Sequence, residues 1–336
     1  MNNPDSRQQG LWIDHPDALA VIQAMQEQNR ITNDEVQQLR NFIRDGFLII
    51  RKAVDHRVIQ RIHEDLETCG RRAEQYIIRS SGDGYNHPTA DALHNKSRFI
   101  DFHVHSETAR KAILAPAISR FLAIIFEEAP LAFQTLLFRY GSEQAIHKDT
   151  AYVVVDRPLA LAASWIALED IQEGSGELLY YKGSHRIPDF RFSEKDIHWV
   201  PARDGQEQHQ TFLDYLHEKA REQSLPLEKF HPEKGDALIW HAGLAHGGAE
   251  ITSNSSRYSL VTHYCPVSCQ PNYFRFAPQT ATRVPFGKLG FYSSRHYDLQ
   301  HGSKNPYPIF MGGKPVRNPV TGFASRIKRL FRPVSK

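Results

Sequence analysis

The sequence sets a histidine two residues before an aspartate at His15/Asp17, His63/Asp65, His147/Asp149 and His296/Asp298. Imidazole and carboxylate together suit a first-row transition metal, so each pair is a candidate half-site. With 18 histidines in the chain, the tripeptide arises about once by chance, and context has to choose. His63 and Asp65 fall in a helical pattern, where residues two apart do not share a face. His15/Asp17 lies in a polar N-terminal segment and His296/Asp298 in a loop-rich tail, and neither has a framework to hold an ion. His147/Asp149 follows an apolar run and a Gly-Ser turn. In extended backbone its two side chains point the same way, into the interior of a barrel.

A mononuclear iron site built from two histidines and one carboxylate needs one more ligand from a neighbouring strand. His246, in GDALIWHAGLAHGG, is the candidate. His241 on the same segment is its rival, but the glycines after His246 and its spacing to Arg257 favour His246. Arg257 opens the segment RYSLVTHY, and a hairpin return would set it one strand over from His246, deeper in the same barrel. A guanidinium there can pair in bidentate fashion with a carboxylate. Fe(II) with open positions beside a buried arginine is what a chelating dicarboxylate such as 2-oxoglutarate requires.

These residues need a frame. Thr32 and Glu35 form a capping box for a helix carrying Val36, Leu39, Phe42 and Ile43, which stops at Asp45-Gly46. A short strand, Phe47 to Ile50, follows, then a helix from about Asp55 with Val58, Ile59, Ile62 and Leu66 on one face. Residues 80–95 read as a loop, and a further helix with Pro116 in its first turn runs to Glu128. From Leu131 the texture is short β segments: LAFQTLLFRY, TAYVVV, LALAASWIAL, GELLYY, DALIWHAGLAHGG and RYSLVTHYCPV. Such a series without alternating helices predicts an antiparallel sandwich or barrel, interrupted by a polar, partly helical insertion at 190–232. The expected fold is mostly β with flanking helices around a double-stranded β-helix, or jelly-roll, core. Its expected organisation is an extension over 1–30, one domain over 31–270 with its β core at about 131–270, and a C-terminal extension over 271–336.

Composition sets the remaining bounds. The chain has 336 residues, 40% of them hydrophobic and 24% charged, with a net charge of +3, which excludes a disordered tail or a strongly basic nucleic-acid binder. No apolar run approaches a membrane span. Three cysteines are too few and too scattered for a disulfide framework. With no signal-peptide layout in MNNPDSRQQG, the expected location is cytoplasmic. The basic tail ASRIKRLFRPVSK fits docking on a partner or weak attachment to an anionic surface. Oligomeric state is not written in the sequence.

Over residues 30–265 the chain resembles the phytanoyl-CoA dioxygenase family of Fe(II)- and 2-oxoglutarate-dependent oxygenases. The resemblance rests on an ordered set of segments: ITNDEVQQLRNFIRDGFLIIRKAV, FRYGSEQAIHKDTAY, WIALEDIQEGSGELLYYKGSH and GDALIWHAGLAHGGAEITSNSSRYSL. It implies Fe(II) on His147, Asp149 and His246, 2-oxoglutarate with its distal carboxylate on Arg257, and O2 as oxidant. It further implies Trp165 packed against the cosubstrate, Ser259 adding a hydroxyl to the same carboxylate, and Gln134 and Tyr152 lining the pocket. The implied reaction is hydroxylation of an unactivated C–H bond in a small-molecule, acyl or natural-product substrate, releasing succinate and CO2. Related halogenases lack the carboxylate at the Asp149 position, so its presence favours oxidation without halide capture. Two positions depart from the family's usual pattern: Lys148 stands where Gln is common, and Gly247-Gly248 where Gly-Ser is common.

Two rival readings remain. DFHVHSE resembles the first metal strand of a divalent-metal phosphoesterase, with His103 and His105 as ligands, but the downstream sequence lacks the βα alternation of such barrels. In the oxygenase reading these histidines would sit near the substrate mouth instead. A non-catalytic jelly-roll binding module is the other, and it has no use for a metal triad and a deep arginine together.

Overall fold

In the computed structural model, which describes residues 10–69, 76–80, 84–86, 88, 97–157, 159–194, 196–272, 282–293, 309–311 and 314–316, helices cover one face of a large sheet. Helix α1 spans Ala18–Glu27 and α2 Asn33–Asp45. The capping box of α2 forms as its residue types require: Thr32 Oγ1 accepts from Glu35 N, and Thr32 N donates to the Glu35 carboxylate at 2.8 Å. The helix ends at Gly46, whose φ of +82° is left-handed, and a Cβ there would collide with the His185 ring. Strand β1 (Phe47–Ile50) follows, then α3 (His56–Thr68), capped by the Asp55 carboxylate accepting from Arg57 N.

Three short strands come next, β2 (Ile77–Ser80), β3 (Gly84–Asn86) and β4 (Arg98–Ile100). The loop expected at 80–95 therefore holds a strand, and most of residues 87–96 lie outside the described residues. A helix the sequence reading missed, α4 (Glu107–Ile113), precedes α5 (Pro116–Phe126), which has its proline in the first turn as expected.

The remaining strands are β5 (Pro130–Phe138), β6 (Val154–Val155), β7 (Ala162–Ala167), β8 (Leu178–Tyr181), β9 (Leu227–Phe230), β10 (Ala237–His241), β11 (His246–Gly248), β12 (Ser259–Pro266), β13 (Pro271–Asn272), β14 (Thr282–Phe286), β15 (Leu289–Ser293), β16 (Ile309–Met311) and β17 (Lys314–Val316). Two sheets carry the site. The major one runs β1-β10-β7-β12-β5-β4-β2-β3, antiparallel throughout that path, and the minor one runs β11-β8-β9. This is the expected jelly-roll-like core with flanking helices. The major sheet also takes in β1 and β2–β4, which precede residue 131.

Strand periodicity divides the core. Ala162 and Ile166 of β7, Ile239 of β10 and Leu260 and Tyr264 of β12 pack under the helices with Leu39, Phe42 and Phe121. Their neighbours Ala163, Trp165, Leu238 and Trp240 turn into the space between the sheets, against Leu178, Tyr180 and Phe230. Each large apolar side chain removed from water this way contributes about 1.5–3 kcal/mol.

Three expected segments are divided differently. TAYVVV is a 3-10 turn over Asp149–Ala151 followed only by the two residues of β6. DALIWHAGLAHGG is split between β10 of the major sheet and β11 of the minor one. The 190–232 region holds α6 (Pro201–Glu222), kinked at Gly205, but its last part is β9, a member of the minor sheet. Segments this short and apolar read as one strand because local pattern does not record a change of sheet.

Candidate metal and cosubstrate site

His147 and His246 face each other as an isolated antiparallel pair, with N–H to O distances of 2.9 Å in both directions. That pairing joins the loop before the 3-10 turn to β11 and sends both imidazoles to one side. Lys148 keeps extended backbone (φ −104°, ψ 139°), so Asp149 returns to that side before the turn begins. The two Nε2 atoms lie 3.8 Å (His147) and 3.7 Å (His246) from Asp149 Oδ1. Among the described residues this is the group of histidine, cysteine and acidic side chains placed to share an ion, its ligand atoms within 4.8 Å of one another.

The backbone sets the tautomers. His147 Nδ1 donates to Ala145 O at 2.8 Å and His246 Nδ1 to Leu244 O at 2.9 Å, which leaves both Nε2 lone pairs facing the Asp149 carboxylate. Burial, reinforced by the neighbouring His246, pushes His147 down to about 3, so it is neutral. Burial alone would raise the Asp149 carboxyl, but the imidazoles of His246, His263 and His147 outweigh it and keep the group ionised. A neutral His147 and an ionised Asp149 are the protonation states that a divalent cation needs of them.

Trp240 was not anticipated: its Nε1 donates to Asp149 Oδ2 at 2.8 Å. Nor was His263, whose Nε2 lies 3.4 Å from the same oxygen. Both residues are far from Asp149 in sequence and carry no motif. The only signal available was their place in strands next to Trp165 and Arg257.

Arg257 is placed differently from the sequence expectation. It precedes β12 in the major sheet, whereas His246 lies in the minor one, so the guanidinium approaches from the opposite wall and not from the adjacent strand. The side chain is 2% exposed, lies 5.4 Å from the Phe138 ring centre and 5.6 Å from that of Trp165, and its Nε has no hydrogen-bond partner. Among the described residues no carboxylate lies within ion-pair distance of it. Burial pushes it down to about 10, with the more distant charge of Glu177 opposing the shift. Ser259, two residues on, is buried with an unpartnered Oγ.

Triad and arginine open on one cavity of about 410 Å³, which Trp165, Gln134 and Tyr152 also line. Tyr152 stands edge-on to His147 at 5.3 Å between ring centres, and its hydroxyl meets His209 Nε2 at 2.6 Å. The 190–232 region supplies Trp199, His209 and Leu213 to the wall, and β4 supplies Arg98 and Ile100. Lys148 points away from the cavity. It is buried, donates to Ile187 O and lies 3.2 Å from Asp189 Oδ1, so it ties the ligand loop to the start of that region. At position 248, a Cβ would come within 3.0 Å of Ser142 Oγ and Glu143 N, so the facing loop fills the space a larger side chain would take.

The rival histidines have structural partners. His241 Nε2 lies 3.2 Å from Asp14 Oδ2 and its Nδ1 accepts from Gly243 N, while His185 faces Ile43 O. His63 bonds Leu168 O, Asp65 accepts from Ser106, and His296/Asp298 lie outside the described residues. The expectation that His103 or His105 reaches the substrate mouth is not met. His103 is fully buried with Nδ1 2.9 Å from Thr135 Oγ1, His105 packs edge-on to Tyr76, and neither borders the cavity or joins a metal cluster.

The family model for phytanoyl-CoA dioxygenase (PhyH) matches residues 42–259, the span that contains His147, Asp149, His246 and Arg257. The chain belongs to the phytanoyl-CoA dioxygenase family. Its curated relatives include the peroxisomal phytanoyl-CoA dioxygenases of Bos taurus, 22% identical over 253 residues, and Rattus norvegicus, 22% over 251. Each alignment covers 70% of this chain and 69% of the relative. Among solved structures, the fold is similar to the non-heme alpha ketoglutarate dependent carbocyclase SnoK from nogalamycin biosynthesis (TM-score 0.58, 15% identity, covering 76% of this chain and 95% of that one). It is also similar to the epimerase SnoN in complex with Fe3+, alpha ketoglutarate and nogalamycin RO (TM-score 0.55, 16% identity, 77% and 98%).

This member of the PhyH family is thus an Fe(II)- and 2-oxoglutarate-dependent enzyme, and the donor set fits the metal: two imidazole nitrogens and one carboxylate oxygen on one side, as non-haem Fe(II) requires. The expected cytoplasmic location is corrected, since both curated relatives are peroxisomal. The three cysteines are buried and free, which does not distinguish one compartment from another. No helix among the described residues is long and apolar enough to cross a membrane, and the basic tail lies outside them.

Proposed function

We propose that the protein hydroxylates an unactivated C–H bond of a small-molecule, acyl or natural-product substrate in the cavity above His147, Asp149 and His246. The observation that carries this reading is the buried Arg257, without a counter-ion among the described residues, opening on the same cavity as the triad. A permanently charged group held this way is matched by an anionic ligand. The distal carboxylate of 2-oxoglutarate meets it, with Ser259 Oγ as a second donor and Trp165 packed alongside.

Fe(II) bound there with 2-oxoglutarate and O2 supplies a two-electron oxidation, one oxygen atom passing to the substrate and the other to succinate as CO2 is lost. The protein contributes placement. Ala145 O and Leu244 O hold the two imidazoles, Trp240 holds Asp149, and Arg257 fixes one end of the cosubstrate. Gln134, Tyr152, Trp199 and Leu213 form the wall that excludes water and sets the substrate's reacting carbon over the site. The oxygenase unit is residues 31–270, consistent with a family match over 42–259.

The test is anaerobic addition of Fe(II) and then 2-oxoglutarate to chelator-treated protein, followed by visible absorption. A metal-to-ligand charge-transfer band is expected in the wild type and lost in His246→Ala. A folded wild type that forms no band refutes the reading. Because the structurally similar SnoN and SnoK are an epimerase and a carbocyclase, substrates found by succinate release are then scored for 18O incorporated from O2. Product without the label means an oxidation other than hydroxylation.

A further inference from the structure

Asp149 is approached from two sides. Its Oδ1 faces the Nε2 atoms of His147 and His246, while its Oδ2 accepts from Trp240 Nε1 at 2.8 Å and lies 3.4 Å from His263 Nε2. His263 is 4% exposed and borders the cavity, yet among the described residues neither ring nitrogen is in hydrogen-bond geometry with a partner. A buried imidazole left unsatisfied is costly and calls for an account.

The backbone shows how the ring is aimed. Along β12 the pairing with β7 is regular, His263 opposite Ala163 and Tyr264 opposite Ala162. Against β5 the register slips: His263 faces Gln134 and Tyr264 faces Ala132, so Phe133 is an extra residue. This is a β-bulge, a device that re-aims side chains beside functional sites. It lets the consecutive residues Phe133 and Gln134 both border the cavity, and sets the Phe133 ring 6.2 Å from that of His263. The bulge and the aromatic contact steer the imidazole toward Asp149.

We propose that His263 is a positioning residue for the metal site: together with Trp240 it holds the outer oxygen of Asp149, so that the carboxylate offers a single oxygen to Fe(II). A carboxylate with both oxygens free can chelate, and would occupy a position that the cosubstrate or dioxygen needs. The Trp240 Nε1–H bond to Oδ2 prevents that, and His263 Nε2, 3.4 Å from the same oxygen, would add a second donor once the metal draws the carboxylate into place. His263 does not act as a fourth ligand, because it falls outside the cluster whose donor atoms lie within 4.8 Å of one another. The inference deepens the Fe(II)/2-oxoglutarate reading and rests on it.

The experiment titrates Co(II), whose d–d spectrum reports coordination, into chelator-treated full-length protein. His263→Phe, which keeps the ring but no N–H, is expected to weaken Co(II) binding by about 10- to 100-fold, the usual effect of removing a group that orients a ligand. His263→Gln, whose amide reaches the Nε2 position, is expected to restore binding, and His263→Asn, with the shorter stem, is not. At saturating metal, 2-oxoglutarate affinity should fall in His263→Phe and His263→Asn, where the second Asp149 oxygen is free to take the position the cosubstrate needs, and match the wild type in His263→Gln. Should His263→Phe not fold, the Asn and Gln pair carries the same contrast. Unchanged Co(II) affinity in folded His263→Phe or His263→Asn overturns the proposal. So does a change in the wild-type d–d band positions that Gln fails to restore, which would make His263 a ligand. A wild type that binds no Co(II) removes the metal site itself, and the function proposed above with it.

Discussion

Arg257→Met is expected to stabilise the cosubstrate-free protein while removing its affinity for 2-oxoglutarate. Displacement of the guanidinium from 12.5 to about 10 corresponds to about 3 kcal/mol against the charged form in its buried site. Methionine keeps the length and apolar stem between Phe138 and Trp165 but forfeits the cation–π contacts, worth about 1–2 kcal/mol together. The net gain is then about 1–2 kcal/mol, or a rise of a few degrees in the melting temperature for a domain of this size. Binding moves the other way. A cosubstrate carboxylate left without its partner in the same pocket costs about 3–5 kcal/mol, and its affinity falls by about 10²- to 4 × 10³-fold. Differential scanning fluorimetry checks both halves: wild type should gain stability on adding metal and 2-oxoglutarate, and the variant should start higher and gain little from 2-oxoglutarate. A lower melting temperature without ligand, or a wild-type shift with 2-oxoglutarate, would refute the argument that Arg257 is held without a counter-ion for an anionic ligand.

Three other perturbations test the frame. Asp189→Ala leaves the buried Lys148 ammonium without its carboxylate and should cost about 2–4 kcal/mol, whereas Lys148→Met, which replaces the buried cation by apolar volume, should cost much less. Urea midpoints give the order, and the reverse order would sink the assignment of Lys148 as a buried tie. Gly46→Ala combines a left-handed φ with a clash on His185, and a loss below about 1 kcal/mol in the same assay would contradict that geometry. Glu35 is held below its usual 4.5 chiefly by the hydrogen bond from Arg120, which outweighs burial. Its contribution is therefore present above pH 4.5 and lost as pH falls through the lower folded value. Glu35→Gln keeps the capping reach but not the charge. The stability gap to wild type, about 1 kcal/mol or less for so exposed a pair, should close toward pH 3, and a gap independent of pH would exclude this ion pair as its source.

Local signals in the chain were read correctly where short-range chemistry decides the outcome. Thr32 with Glu35, Asp55 before His56, and Pro116 in a first turn announce helix starts, because the partners lie within one turn. The short apolar runs in LALAASWIAL and DALIWHAGLAHGG announced β segments, and β7 and β10 form there, buried on both faces. The segments misread were those in which an apolar run changes partner: TAYVVV, the split between β10 and β11, and β9 inside the presumed insertion. His103 was weighed as a ligand or a mouth residue because DFHVHSE resembles a metal strand. Its hydrogen bond to Thr135, in a strand well downstream, made it part of the core.

By itself the sequence determined the ligand types and how His147 and Asp149 face, since extended backbone at Lys148 turns both side chains to one side. It also determined that one distant histidine and one arginine complete the set, though not from which wall each comes. Tertiary structure alone decided that Arg257 approaches from the sheet opposite His246. It alone brought Trp240 and His263 onto the outer oxygen of Asp149 and buried Lys148 behind its neighbours. The reason is physical: these contacts depend on strand order and on a one-residue slip between β12 and β5. Order and slip are settled by packing across the whole sandwich, and no local run of residues encodes either.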